Sequence, residues 1–436
     1  MDSPIKRRYL AVIILLLLAT IINATLSYRH SRDYHETRFL MDTEVYIEAH
    51  GPGARKAVKE ALAAMEDLSQ RLDSYSATSE IAAINDAAGI KAVHVSQDTF
   101  VVIKKALEIA RLTGGAFDPT CGPLVNLWGI GPEGNHKPVP SPEEIKKAVQ
   151  LVNYQRVFLN EEVQTVFLPE KGMRLDLGAI AKGYAVSKAV VILHNHNIQS
   201  ALVAAGGNIY ALGTRPGGGG WRIGIRDPFH PDTEAGYLEL VNQAIDTSGD
   251  YERYYEEQGL KYNHIFDPRS GYPVTFTASS TVITPDPVAA DALATALFVL
   301  GAGEGFPLLA KVPDTEGLII TTNGDVLCTP GLQDKFIKNG APPQQTTGWQ
   351  TKKLVIEVNG REVQSLVLTG NEKQLHLRVP LKKGEAIVEI DGGRARVLPL
   401  PRDICPDGIC SRTGWISLPG QSIICLPNRL VVRIIS

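Results

Sequence analysis

The sequence predicts an α+β protein: a large domain of mixed, largely antiparallel sheets with packed helices, followed by a small all-β domain. Three observations carry this expectation. Helical and strand-like segments interleave without a regular βαβ period, which argues against a doubly wound parallel sheet. Residues 339–350 are polar, Pro-rich and without hydrophobic periodicity, and read as a linker. Beyond them, residues 351–436 hold only short strand-like runs separated by turn signals.

The elements follow in chain order. Lys6, Arg7 and Arg8 precede an apolar run from Tyr9 to Leu26. Cations followed by an apolar stretch are the layout of a secretory signal or signal anchor, and about 20 apolar residues span a bilayer. No cysteine precedes Cys121 to carry an N-terminal lipid, and no A-x-A cleavage pattern follows the run. Residues 1–33 are therefore expected to anchor the chain in the cell membrane, with a cleaved signal as the alternative. The cations should stay inside, which sets everything after about Ser27 outside the cytoplasm. Next, TRFLMDTEVYIEAHG alternates as a strand up to Gly51-Pro52. Ala61, Met65, Leu68 and Leu72 recur at helical spacing, and Phe100 to Thr113 forms a second amphipathic helix closed by Gly114-Gly115. Ser141-Pro142-Glu143-Glu144 is a helix start, with a capping Ser, Pro in the first turn and two acids. A fourth helix is expected from Ala179 to about His194. Strand-like ALVAAGG, YALGT, WRIGIRD, GYLELV and AIDTSG follow, then a helix from Val288 to Leu300, a last helix, and a hairpin around GLIITTNGDVLC.

Composition narrows the function classes. Lys and Arg number 44 against 47 Asp and Glu, without a basic stripe, so nucleic acid is not an expected partner. The five cysteines are sparse and odd in number, which is no disulfide framework. Three of them, Cys405, Cys410 and Cys425, lack the fourth ligand of a structural zinc site. In an oxidising compartment Cys405 pairs with Cys410 or Cys425, or all three stay buried thiols.

Three stretches are candidates for chemistry, and two more are set aside. Asp291 and Thr295 stand at i and i+4 on one helix face, and two hard oxygen donors suit Mg²⁺ better than zinc. The same Asp near a helix start is also an ordinary cap. Arg174 to Ala185 leads from a strand into a helix through small residues, where Asp176 and Lys182 can bracket a nucleotide phosphate, or form a packed turn with a surface lysine. His264 lies in a polar, turn-rich segment and suits a general base near neutral pH, although a lone histidine is more often structural. Gly217 to Gly220 sits between strands and reads as a turn tip, not a phosphate loop. His194 and His196 sit at a helix end, where a surface role outweighs metal binding.

Each signal is soft by itself, and their order is specific. FLMDTEVYI, LDSYSATSEIAAIN, TGGAFDPTCGPLVNLWG, LDLGAIAKGYAV, AAGGNIYALG, DTSGDYERY, HIFDPRSGYPV and ADALATALFVLG stand in the order of the ApbE family of FAD:protein FMN transferases, which residues 34–338 resemble. The resemblance implies that Met41, Tyr75, Ala116, Phe117, Asp118, Asp176, Lys182 and Ile265 line the FAD site. It implies Mg²⁺ held by the Ala179 carbonyl and the side chains of Asp291 and Thr295, with His264 as base toward the acceptor hydroxyl. Asp42 stands where the family commonly has Gly, and Cys121 where an aliphatic residue is common. The implied reaction moves FMN from FAD onto a Ser or Thr of a partner protein, with a membrane redox-complex subunit as the expected acceptor. The alternatives are an Mg²⁺-dependent FAD pyrophosphatase and a non-enzymatic FAD-binding protein. CPDGIC and TGWISLPGQSIICLPNRL make residues 351–436 resemble the second domain of NusG.

Overall fold

The computed structural model describes residues 33–130, 137–230, 233–257 and 260–338. In the C-terminal part it describes 352–359, 361–368, 372–405, 411, 415–416, 422–425 and 428–435. The expected membrane segment, the linker and Cys410 lie outside these residues, except that Asp33 opens the first strand.

An eight-stranded sheet organises the large domain. Its strands, labelled β1–β8 in chain order, are Asp33–Leu40, Thr43–His50, Ser200–Ala205, Asn208–Leu212, Gln243–Gly249, Thr277–Thr284, Glu316–Thr321 and Val326–Cys328. Each pairs antiparallel with the next, so the sheet is a meander with insertions between its strands. Among the described residues, the insertion between β2 and β3 carries six helices: α1 Ala54–Leu72, α2 Glu80–Asp86, α3 Gln97–Leu112, α4 Gly122–Trp128, α5 Pro142–Val149 and α6 Ala181–Asn195. Between β6 and β7 lies α7, Pro287–Leu309.

Period-2 alternation explains the layers. Along β5, Ala244 belongs to the core beneath the helices and Ile245 to the core on the opposite face. The helix side buries the stripe predicted for α1, with Ala61, Met65, Leu68 and Leu72 all inside. The other side packs on strands Trp221–Arg226 and Glu234–Leu240, which supply Trp221, Ile223, Ile225, Leu238 and Leu240. The short strand Ile337–Lys338 adds to that sheet beside Tyr237 and Gly236. α7 is apolar and long enough to cross a membrane, yet it is a core helix, buried against β5 and β6. It breaks at Gly301, whose φ of 66° is open to glycine, which separates the two helices expected there.

Several readings are refined. TRFLMDTEVYIEAHG is a hairpin and not one strand: the chain reverses at Met41 and Asp42, both in the left-handed region at φ 53° and 59°. Two consecutive left-handed residues make the turn type whose twist suits a β-hairpin, and alternation passes through it without a break. The short α2 and α4 carry too few residues for periodicity to show. The Ser141 start is a complete capping box with Glu144. Gly217, Gly218 and Gly219 all have positive φ in a turn, as expected of a connection. His196 meets Glu60 at 2.5 Å on the surface.

In the C-terminal part, strands Lys352–Val358, Arg361–Leu368, Ser422–Cys425 and Leu430–Ile435 form one sheet, and Leu375–Pro380, Glu385–Asp391 and Arg394–Val397 another. Leu354, Ile356, Val388, Ile390, Ile423 and Val432 share a separate core there. Cys405 and Cys425 are buried with sulfurs 3.6 Å apart.

Candidate active site

The seam of β5 and β6 with α7 is polar although most of it is buried. Ser280 donates to the Ala294 carbonyl at 2.7 Å and Thr277 to the Phe298 carbonyl at 3.0 Å, which fixes α7 on the sheet. Asp291 is the one charged residue of α7 before Gly301, and it is 2% exposed. Its Oδ2 accepts from the Gly183 N–H at 2.8 Å, and Lys182 Nζ stands 3.7 Å from its Oδ1. Lys182 also donates to the Gly178 carbonyl at 3.0 Å. Asp291 is therefore no cap of its own helix, a role taken by Asp286 through the Val288 N–H. Gly183 allows this approach: a Cβ there would lie 2.3 Å from the Pro287 carbonyl oxygen and 2.8 Å from Asp291 Cβ. One turn further along α7, the Thr295 hydroxyl meets Ser248 of β5 at 3.2 Å.

Sequence reasoning missed Asp246. It lies on β5, 2% exposed, and its Oδ1 has no hydrogen-bond partner among the described residues. Burial and then the charge of Asp291 push its carboxyl up to about 8, against the opposing pull of Lys182. An uninterrupted Ala-Ile-Asp on a strand with a buried face was the available signal.

The backbone leading into α6 forms the next wall. Asn85 clamps Leu175 from both sides, donating to its carbonyl at 3.0 Å and accepting from its N–H at 2.7 Å. That holds Asp176 in place, where Oδ1 accepts from the Gly178 N–H at 2.8 Å and Oδ2 from Ser74 at 3.4 Å. Ala179 is partly buried between this turn and α6, whose first turn is held by Asp291 through the Gly183 N–H and not by a capping side chain at Ile180. Ser74, Tyr75, Gly122, Asn126, Arg174 and Asp176 surround a cavity of about 210 Å³. Tyr75 is 49% exposed at its rim, an unusual placement for a large aromatic.

His264 faces the same region from the loop after strand Leu260–Asn263. The Arg253 carbonyl accepts from both its backbone N–H at 3.0 Å and its Nδ1 at 3.2 Å. A carbonyl only accepts, so Nδ1 carries the proton and Nε2 keeps a free lone pair. Burial, then the Arg253 charge, lower the imidazole to about 4, so it is neutral at physiological pH. That departs from the near-neutral base expected from sequence. Asn263 fixes the loop, donating to the Val274 carbonyl at 2.6 Å and accepting from the Ile265 N–H at 2.8 Å.

The remaining candidates divide. Met41 sits in the left-handed turn between β1 and β2, and its neighbour Asp42 reaches Arg253 at 3.6 Å. Ala116 and Ile265 share a small core with Phe298 and Val299 of α7, while Phe117 belongs to the main core. These three shape the wall as packed residues. Asp118 is occupied: Oδ1 accepts from the Thr120 hydroxyl at 2.6 Å and N–H at 2.8 Å, and Oδ2 from the Tyr154 N–H at 3.1 Å. Its carboxylate pins the chain after α3.

Residues 41–319 match the ApbE family model, and residues 335–436 match NusG domain II. The chain belongs to the ApbE family. It is 36% identical to the FAD:protein FMN transferase of Klebsiella pneumoniae (strain 342), over 70% of this chain and 95% of that protein. Against the enzyme of the same name from Treponema pallidum (strain Nichols) it is 35% identical, over 70% of this chain and 89% of that protein. The crystal structure of the ApbE protein from Thermotoga maritima is 33% identical, with a TM-score of 0.65, covering 70% of this chain and 99% of that one. The ApbE match spans the β5–α7 seam, the Asp176 turn and the His264 loop, so these ApbE-family segments are the ones converging on the site.

Proposed function

We infer that this chain transfers the FMN half of FAD, as the phosphodiester, to a Ser or Thr hydroxyl of an acceptor protein and releases AMP. The observation that carries this reading is the meeting of three features. A neutral histidine with a free Nε2 lies near a lysine and arginine whose charges both act on it. Lys182 joins it to the buried Asp291. The Asp176–Tyr75 cavity opens beside the loop into α6.

The donors fit Mg²⁺. Asp291, Thr295 and the Ala179 carbonyl are hard oxygens, and Asp246 adds a buried oxygen that no group among the described residues satisfies. Bound there, Mg²⁺ would supply positive charge to neutralise the pyrophosphate. The chain's own residues do the rest. Lys182 offers a cation beside the Asp176 turn, held there between the Gly178 carbonyl and Asp291. Tyr75 presents a ring face to an aromatic ligand. His264 accepts the proton of the attacking hydroxyl at Nε2 while the Arg253 carbonyl holds Nδ1–H. The new P–O bond forms as the bond to the AMP oxygen breaks.

Residues 1–33 anchor this domain on the outer side of the cytoplasmic membrane in this reading, which suits a membrane redox-complex subunit as acceptor. The NusG domain II-like part follows a linker at 339–350. Replacing Asp291 by Ala tests the site: transfer should fall to background while the fold survives. Wild-type transfer by that variant at limiting Mg²⁺ would remove Asp291 from the metal site.

A further inference from the structure

The β5–α7 seam holds more oxygen than the three proposed ligands account for. On β5, Asp246 and Ser248 are two residues apart and share the face turned toward the helices, as the burial of Ala244 beneath those helices shows. On α7, Asp291 and Thr295 are four apart. Two residues of strand advance about 6.8 Å and four of helix about 6 Å, so the two pairs run side by side. Ser248 meets Thr295 at 3.2 Å. The same register sets Asp246 toward Asp291, whose charge acts directly on it.

Such a pairing of acids is costly unless something compensates it. Lys182 stands 3.7 Å from Asp291, the one of the two acids it pairs with. Asp291 is further satisfied by the Gly183 N–H, whereas Asp246 Oδ1 is buried with no partner among the described residues. The β4–β5 register runs Gln243↔Ala211, Ala244↔Tyr210, Ile245↔Ile209. Continued by one residue, it sets Asn208 across from Asp246, and Asn208 Oδ1 is likewise buried and unpartnered. Two unsatisfied oxygens on adjacent strands, beside a carboxylate and a threonine hydroxyl, form an oxygen-rich face of the kind a hard divalent cation takes.

We propose that Asp246 is a further carboxylate for the divalent cation of this site, acting from β5 opposite Asp291 on α7. This rests on the cation reading above and adds a residue to it. Ser248 then orients Thr295 through its hydroxyl.

The test is Mn²⁺ binding by the full chain in detergent without FAD, followed by electron paramagnetic resonance, with Mg²⁺ competition. Asp246→Asn keeps the shape and removes the charge, and should weaken Mn²⁺ binding by roughly 10–100-fold, on the scale of lost metal-site partners. Asp246→Ser, smaller and still polar, should do the same, so the result does not depend on one variant folding. Asp291→Ala reports on the cation reading itself. If Asp291→Ala loses Mn²⁺ while both Asp246 variants bind within twofold of wild type, Asp246 is a structural acid and the proposal fails. If wild type binds no Mn²⁺, the cation reading fails and this assignment with it.

Discussion

His264 shows how a single residue acquires a role from its surroundings. A histidine becomes a base when it is neutral with one nitrogen unengaged, and the Arg253 carbonyl arranges both by taking Nδ1–H and leaving Nε2 free. His264→Ala should therefore slow acceptor flavinylation by about 10²–10⁴-fold, while FAD affinity, measured by fluorescence on the same preparation, stays close to wild type. A large loss of affinity with little change in saturated rate would make His264 a ligand contact. The lowered pKa adds a sign. Native His264 is uncharged above about 4, so the acid limb of kcat/KM for FAD should fall near that value; a limb near the ordinary histidine value would contradict the burial that produces the shift. Legibility at this scale followed locality. Asp291 and Thr295 were visible because four residues on one helix make one face. Asp246 was invisible because its partner comes from another element 45 positions further along the chain. The Asp118 carboxylate is taken up by Thr120, which is local, and by the Tyr154 N–H, which the sequence places far along the chain.

Elements place these residues through close contacts that the sequence only hints at. The α6–α7 crossing depends on Gly183, where a Cβ would overlap the Pro287 carbonyl. Gly183→Ala should destabilise the protein by about 1–3 kcal/mol, the usual scale of overpacking, and lower Mg²⁺ affinity by displacing Asp291. A thermal melt and Mg²⁺ titration check both; an unchanged melting temperature with normal Mg²⁺ affinity would show that the helices separate freely. The β1–β2 turn tells a related story. Left-handed backbone at position 42 explains why a glycine suits it, and Asp is among the side chains that tolerate it. Here Asp42 also reaches Arg253, the residue whose carbonyl holds His264. Long amphipathic helices such as α1 were legible from periodicity, whereas the hairpin was hidden because alternation continued through its turn.

At the scale of the whole molecule, the antiparallel character and the separate C-terminal core were legible, because interleaved elements without a βαβ period and a run of short strands leave few alternatives. The order of the sheet was not, since each long insertion separates strands that pair. The proposed outward topology has a direct check: protease added to intact cells should degrade the catalytic domain, and protection until lysis would overturn it. Transfer to protein is tested by mass spectrometry of a candidate acceptor incubated with FAD, Mg²⁺ and this protein. The acceptor should carry FMN on a Ser or Thr, with AMP released in equal amount; free FMN and AMP beside an unmodified acceptor would overturn the transfer reaction and identify water as the attacking group.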